Sequence, residues 1–139
     1  MIEGIDHLGI AVASIDEARR FYEQLGLHVE AIEEVPQEKV RVAIIPCGAS
    51  RIELLEPTAE DSPIARFLAN KGPGLHHVCL ASSDVRAEGH ALTEHGFRVL
   101  RDEPTPGADG CLVNFVHPKS AGGVLVEISE KLSGGDDAQ

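Results

Sequence analysis

Hydrophobic positions follow two periods along this chain, and the same succession of periods occurs twice. Residues 5–12 read as a strand. Ser14 then opens a helix, with Glu17 three residues on in capping-box spacing. Ile15, Ala18, Phe21, Tyr22 and Leu25 recur at helical intervals until Gly26 stops the run, and Phe21 and Tyr22 are expected in the core. Strands are predicted near 27–34, 39–46 and 50–56, punctuated by Pro36 and Cys47-Gly48. A connector helix is predicted over 62–71, with Ser62 as N-cap, Pro63 in the first turn, and Ile64, Phe67 and Leu68 as its apolar side. Gly72-Pro73-Gly74 ends it. The second half repeats the order: a strand at 75–82, a helix near 84–95, and strands near 97–101, 111–117 and 123–130. The expected class is α+β, with two tandem βαβββ modules over about 4–57 and 75–131 in one domain, 1–132, and a tail, 133–139.

The repeat is visible in the residues themselves. Ile5-Asp6-His7-Leu8-Gly9-Ile10-Ala11 returns as Leu75-His76-His77-Val78-Cys79-Leu80-Ala81. Each half also ends in an aliphatic strand holding a Glu, at Glu53 and at Glu127. Side chains alternate faces along a strand. By that parity His7, Gly9 and Ala11 oppose Leu8, Ile10 and Val12; His77, Cys79 and Ala81 oppose Val78 and Leu80. Glu53 opposes Ile52 and Leu54, and Glu127 opposes Val126 and Ile128. If helices cover the aliphatic face of a curved sheet, His7, Glu53, His77 and Glu127 point to its concave side. Two imidazoles and two carboxylates suit a borderline divalent ion. A lone strand His or Glu is usually a packed or solvated group; the repetition is what raises these four above that reading.

Composition narrows the partners. The 139 residues carry a formal charge of −11, against nucleic acid or an anionic membrane as the main partner. The three cysteines, Cys47, Cys79 and Cys111, are odd in number, form no CxxC, and read as buried small residues. No apolar run reaches membrane-spanning length and no signal-peptide pattern opens the chain, so a cytoplasmic setting is expected. His76 has the wrong parity for the four-residue set, and His28, His90 and His95 read as surface groups. His117, Lys119, Arg41 and Arg51 are candidates to meet an anionic substrate. The long loop from Glu103 to Gly110 could cover a site.

The stretches IDHLGIAV, RIELLEPTAEDSPIARFL, GPGLHHVCL, DEPTPG and FVHPKSAGGVLVEI resemble the vicinal oxygen chelate superfamily and, within it, the methylmalonyl-CoA epimerases, over about residues 3–131. The resemblance implies a cupped eight-stranded mixed sheet around one divalent metal, cobalt before manganese, zinc or nickel, held by His7, Glu53, His77 and Glu127. It implies an acyl-CoA thioester as substrate, methylmalonyl-CoA, epimerised between its 2R and 2S forms, in a homodimer. It gives Glu127 both ligand and base roles. Some epimerases carry a second acid where this chain has Val42, so Glu53 is the candidate for the other catalytic carboxylate. The rivals are a glyoxalase-I-type lyase acting on a glutathione adduct, a metal-free ligand-sequestering protein, and an extradiol dioxygenase. The DSPIARFL and HPKSAGGVLVE runs favour the epimerases over the first, and the repeated His/Glu set disfavours the second.

Overall fold

A computed structural model describes residues 1–107 and 110–132. The predicted tail, 133–139, and two residues of the 103–110 loop lie outside the described residues. The chain divides into two compact units: His7–His76, and the opening residues Met1–Asp6 together with the chain from His77 onward. The first strand, β1 (Ile2–Ala11), is therefore shared, its first half belonging to the later unit.

In the unit His7–His76, β1 is followed by α1 (Ile15–Gln24), β2 (Ala31–Val35), β3 (Val40–Cys47), β4 (Ser50–Pro57) and α2 (Pro63–Lys71). The strand order is β2-β3-β4-β1. β4 runs parallel to β1, and the other pairs are antiparallel. Ser14 starts α1 by accepting from the Glu17 amide at 3.2 Å. Ile15, Ala18 and Tyr22 of α1 pack on Ile10, Ala43, Ile45, Ile52 and Leu54. The expected core residue Phe21 is instead 64% exposed, and Leu25 is exposed beside it. At 100° per residue these two lie on the flank of the stripe set by Ile15, Ala18 and Tyr22. Buried Ser62 caps α2, accepting from the amides of Ile64 and Ala65. Ile64, Phe67 and Leu68 of α2 pack on Ala11, Val40, Val42 and Leu55. The two helices thus take opposite faces of these strands, as parity requires.

In the other unit, β5 (Gly74–Ser82, from His77 on), α3 (Val85–Glu94), β6 (Thr105–Pro106), β7 (Cys111–Val116) and β8 (Leu125–Lys131) follow in order. The strand order is β5-β8-β7-β6, with β8 parallel to β5. Asp84 caps α3 by accepting from the Ala87 amide at 3.1 Å. Val85 and Leu92 pack on Val116, Val126 and Ile128.

Three further expectations are corrected. The strand expected at 97–101 is a single bridge, Val99 to Val116, flanked by bonds from Leu100 to Phe115 and from His117 to Arg98; the short strand falls at Thr105–Pro106 instead. The segment expected as strand from residue 27 is irregular until Ala31. Of the cysteines only Cys79 is fully buried, and Cys47 is exposed.

Candidate functional site

Each unit carries one mostly covered histidine–carboxylate pair, with only His7 fully in the buried class, and the two pairs are built alike. In the unit His7–His76, parallel pairing sets His7 against Arg51 and Gly9 against Glu53. In the other, it sets His77 against Leu125 and Cys79 against Glu127. In both, the His therefore lies one pleat before the residue that faces the Glu, so both side chains leave the same side of their strands. Nε2 of His7 lies 3.6 Å from Oε1 of Glu53, with the side chains 9% and 14% exposed. Nε2 of His77 lies 3.6 Å from Oε1 of Glu127, with 13% and 16% exposed.

A separation of 3.6 Å is beyond a good hydrogen bond. Two ligand atoms each about 2.1 Å from one ion at a tetrahedral angle stand roughly 3.4 Å apart. The imidazole and carboxylate of each pair thus fit adjacent ligand positions on a divalent ion, in donor type and in spacing. Burying a carboxylate without a cation or hydrogen bonds is costly, which favours a charge partner at such a pair.

The pairs differ in what surrounds them. Arg51 donates through Nε to Oε2 of Glu53 at 2.8 Å. Its Nη2 stands 3.4 Å from Nδ1 of His7. At the same register the other unit has Leu125, whose side chain can donate nothing. On the neighbouring antiparallel strands, Ile44 faces Glu53 and Phe115 faces Glu127. The Arg101 guanidinium lies over the Phe115 ring at 4.9 Å, a cation–π contact beside the Glu127 strand.

The remaining candidates separate from these pairs or join them only in part. Val42 lies on the same face as Glu53, packed in the cluster with Leu55 and Ile64. No acid stands at that position of β3. Arg41 leaves the opposite face and bonds Glu56 at 3.2 Å, so it stands away from the His7–Glu53 pair. His117 closes the turn after β7, its Nδ1 accepting from the Lys119 amide at 3.0 Å, while Lys119 itself is exposed. His76 packs edge-on against Phe67, and burial pushes its imidazole below the usual histidine range. His28, His90 and His95 are exposed. Arg101 ends the segment expected as a strand at 97–101, and the structure instead leaves it outside any strand. Arg51 was read only as a possible anion partner; its spacing to Glu53, one pleat along β4, was the available signal.

Comparison with known proteins gives this arrangement a family. A model described as Glyoxalase/Bleomycin resistance protein/Dioxygenase superfamily matches residues 6–115. An ethylmalonyl-CoA/methylmalonyl-CoA epimerase of Cereibacter sphaeroides is 41% identical over 133 residues, covering 94% of this chain and 99% of that protein. A mitochondrial methylmalonyl-CoA epimerase of Homo sapiens is 39% identical over 128 residues, covering 91% of this chain and 73% of the relative. Among solved structures, a methylmalonyl-CoA epimerase in complex with methylmalonyl-CoA and ammonium is similar with a TM-score of 0.85 and 37% identity, over 96% of this chain and 97% of that one.

Proposed function

The chain belongs to the Glyoxalase/Bleomycin resistance protein/Dioxygenase superfamily and, within it, to the methylmalonyl-CoA epimerase family, and on that footing we propose that it interconverts (2R)- and (2S)-methylmalonyl-CoA with the help of one divalent metal. The observation that carries the metal part is the His–Glu pair that recurs in both units at the same 3.6 Å, its side chains 9–16% exposed. His7, Glu53, His77 and Glu127 are the proposed ligands, with cobalt the first candidate ion. The substrate part rests on the three relatives described above, each an acyl-CoA epimerase by name.

The reaction removes a proton from C2, alpha to the thioester carbonyl, and returns one to the opposite face. A divalent ion would lower the cost of the enolate by acting as a Lewis acid on the substrate's oxygens. The chain's own residues supply the proton transfers. Glu127 is the proposed base on one face, since a carboxylate needs only hydrogen-bond reach to the carbon-bound proton. Glu53 is the proposed partner on the other. The apolar packing of Val42 supports that choice, because β3 offers no acid at that place. Exposed Lys119 is assigned to an anionic part of the CoA thioester, with His117 holding its turn. A cytoplasmic homodimer completes the reading; exposed Ile2 and Ile5 support packing against a second copy, and no helix among the described residues is long and apolar enough to cross a membrane.

The test is deuterium exchange at C2 of methylmalonyl-CoA in heavy water, followed by proton NMR with and without chelator. Loss of the C2 signal in the metal-loaded protein, abolished by chelation, is the expected result. A fully metallated protein that leaves the signal intact would overturn the proposal.

A further inference from the structure

Arg51 stands in a geometry opposite to the one a metal-binding histidine requires. A histidine that gives one ring nitrogen to a metal carries its hydrogen on the other. That N–H is normally met by an acceptor: a carboxylate, a backbone carbonyl or water. Here Nδ1 of His7 faces Nη2 of Arg51 at 3.4 Å. A guanidinium has donors only. With Nε2 on a metal, Nδ1–H would point at an N–H. With Nδ1 on a metal, the guanidinium would occupy the ion's place. Either nitrogen can serve as ligand only after Arg51 has left His7.

The same side chain also holds Glu53. Its Nε donates to Oε2 at 2.8 Å, a charge-assisted bond to a carboxylate that is only 14% exposed. Arg51 therefore donates to both His7 and Glu53, while Nε2 of His7 faces Oε1 of Glu53 at 3.6 Å. Arg51 is one-third exposed, so its head group has water to move into. The other unit is built differently at the same register, with Leu125 where Arg51 would be.

We propose that Arg51 is a latch on the metal-free first half-site: it fills the charge and hydrogen-bonding needs of Glu53 and His7, opposes entry of the ion, and must swing off His7 when the ion binds. This rests on the metal reading above. It makes Arg51 a positioning residue acting through His7 and Glu53.

The experiment is calorimetric titration of cobalt(II) into metal-free wild type, Arg51→Leu and Arg51→Gln, with the cobalt absorption band read in parallel. Leu reproduces the residue of the other half. Gln removes the charge and offers an acceptor for an N–H of His7, and it decides the matter if the Leu variant does not fold. Tighter cobalt binding in either folded variant, on the order of tenfold, supports the latch. Affinity that is unchanged or weaker in every folded variant overturns it and makes Arg51 an ordinary support of its ligands. Absence of cobalt binding in wild type and variants alike overturns the metal reading, and the latch with it.

Discussion

The two βαβββ units start from one plan and solve it with different contents. Their His–Glu pairs agree in register and in distance. Their surroundings do not. The unit His7–His76 gives its pair a guanidinium, whereas the other gives Leu125. The helix contacts diverge too. In α1, Ala18 and Tyr22 bring a small and a large side chain onto the sheet. The equivalent places in α3 hold Glu88 and Leu92, and there an open cavity of about 250 Å³ remains, lined by Leu80, Leu92, Phe97, Val126 and Ile128 among others. The lesson is that register is what the repeat keeps. Ladder hydrogen bonds and strand parity hold the His–Glu pair in place regardless of how well the far face is filled.

The strongest way to break the comparison is at the carboxylates. Glu127→Gln is expected to lower turnover about 10²–10⁴-fold, the usual worth of a positioned proton-transfer group. Glu53→Gln is expected to lower it sharply too, with metal affinity less affected. Exchange kinetics on methylmalonyl-CoA check both, and wild-type-like turnover in Glu53→Gln would remove that residue from proton transfer.

Stability sharpens it next. Leu54→Ala empties a fully buried position under α1 and is expected to cost about 2–5 kcal/mol. Ile128→Ala is the matching change beside the cavity and is expected near the low end of about 2–5 kcal/mol, because its side chain already borders open space. Equal losses in urea melts would show that the cavity has no energetic weight. In the opposite direction, Gly89→Ala on α3 is expected to stabilise by about 0.5–1 kcal/mol. The new Cβ would meet Asn114 Nδ2 at 3.7 Å and Val99 Cγ1 at 3.9 Å, both ordinary contacts. A lowered melting temperature would show that α3 cannot accept even one methyl group.

The smallest effect lies on the surface of α3. Arg86 donates to Glu103 at 2.7 Å and His90 stands 3.3 Å from it, holding that carboxyl below the ordinary glutamate range. The contribution is present above the ordinary glutamate value and is lost as pH falls through the lowered one. Exposure keeps it small. Arg86→Ala should move the Glu103 midpoint up in an NMR titration; an unmoved midpoint would assign the shift elsewhere.

Much of this was legible in the residues because it depends on short-range rules. Helix caps at Ser14 and Ser62, the stop at Gly26 and the connector helix are local, and each was found where expected. The faces of His7, Glu53, His77 and Glu127 follow from a period of two, which needs only the strand and not its neighbours. What the residues left open was set by partners distant in sequence. Residues 97–101 have strand-like composition, but their backbone meets β7 through one bridge and two flanking bonds, so the ladder forms at Thr105–Pro106 instead. Phe21 satisfies a helical period and still faces solvent, because the sheet beneath α1 is met by a narrower stripe. Arg41 and Arg51 look alike as basic residues in strands; parity and pairing send one to Glu56 on the far face and the other to Glu53 and His7. The sequence by itself determined the repeat, the order of elements and the four side chains that share a chemistry. Only the tertiary structure decided which cation each carboxylate meets, because that depends on distances between strands, which no period along one strand contains.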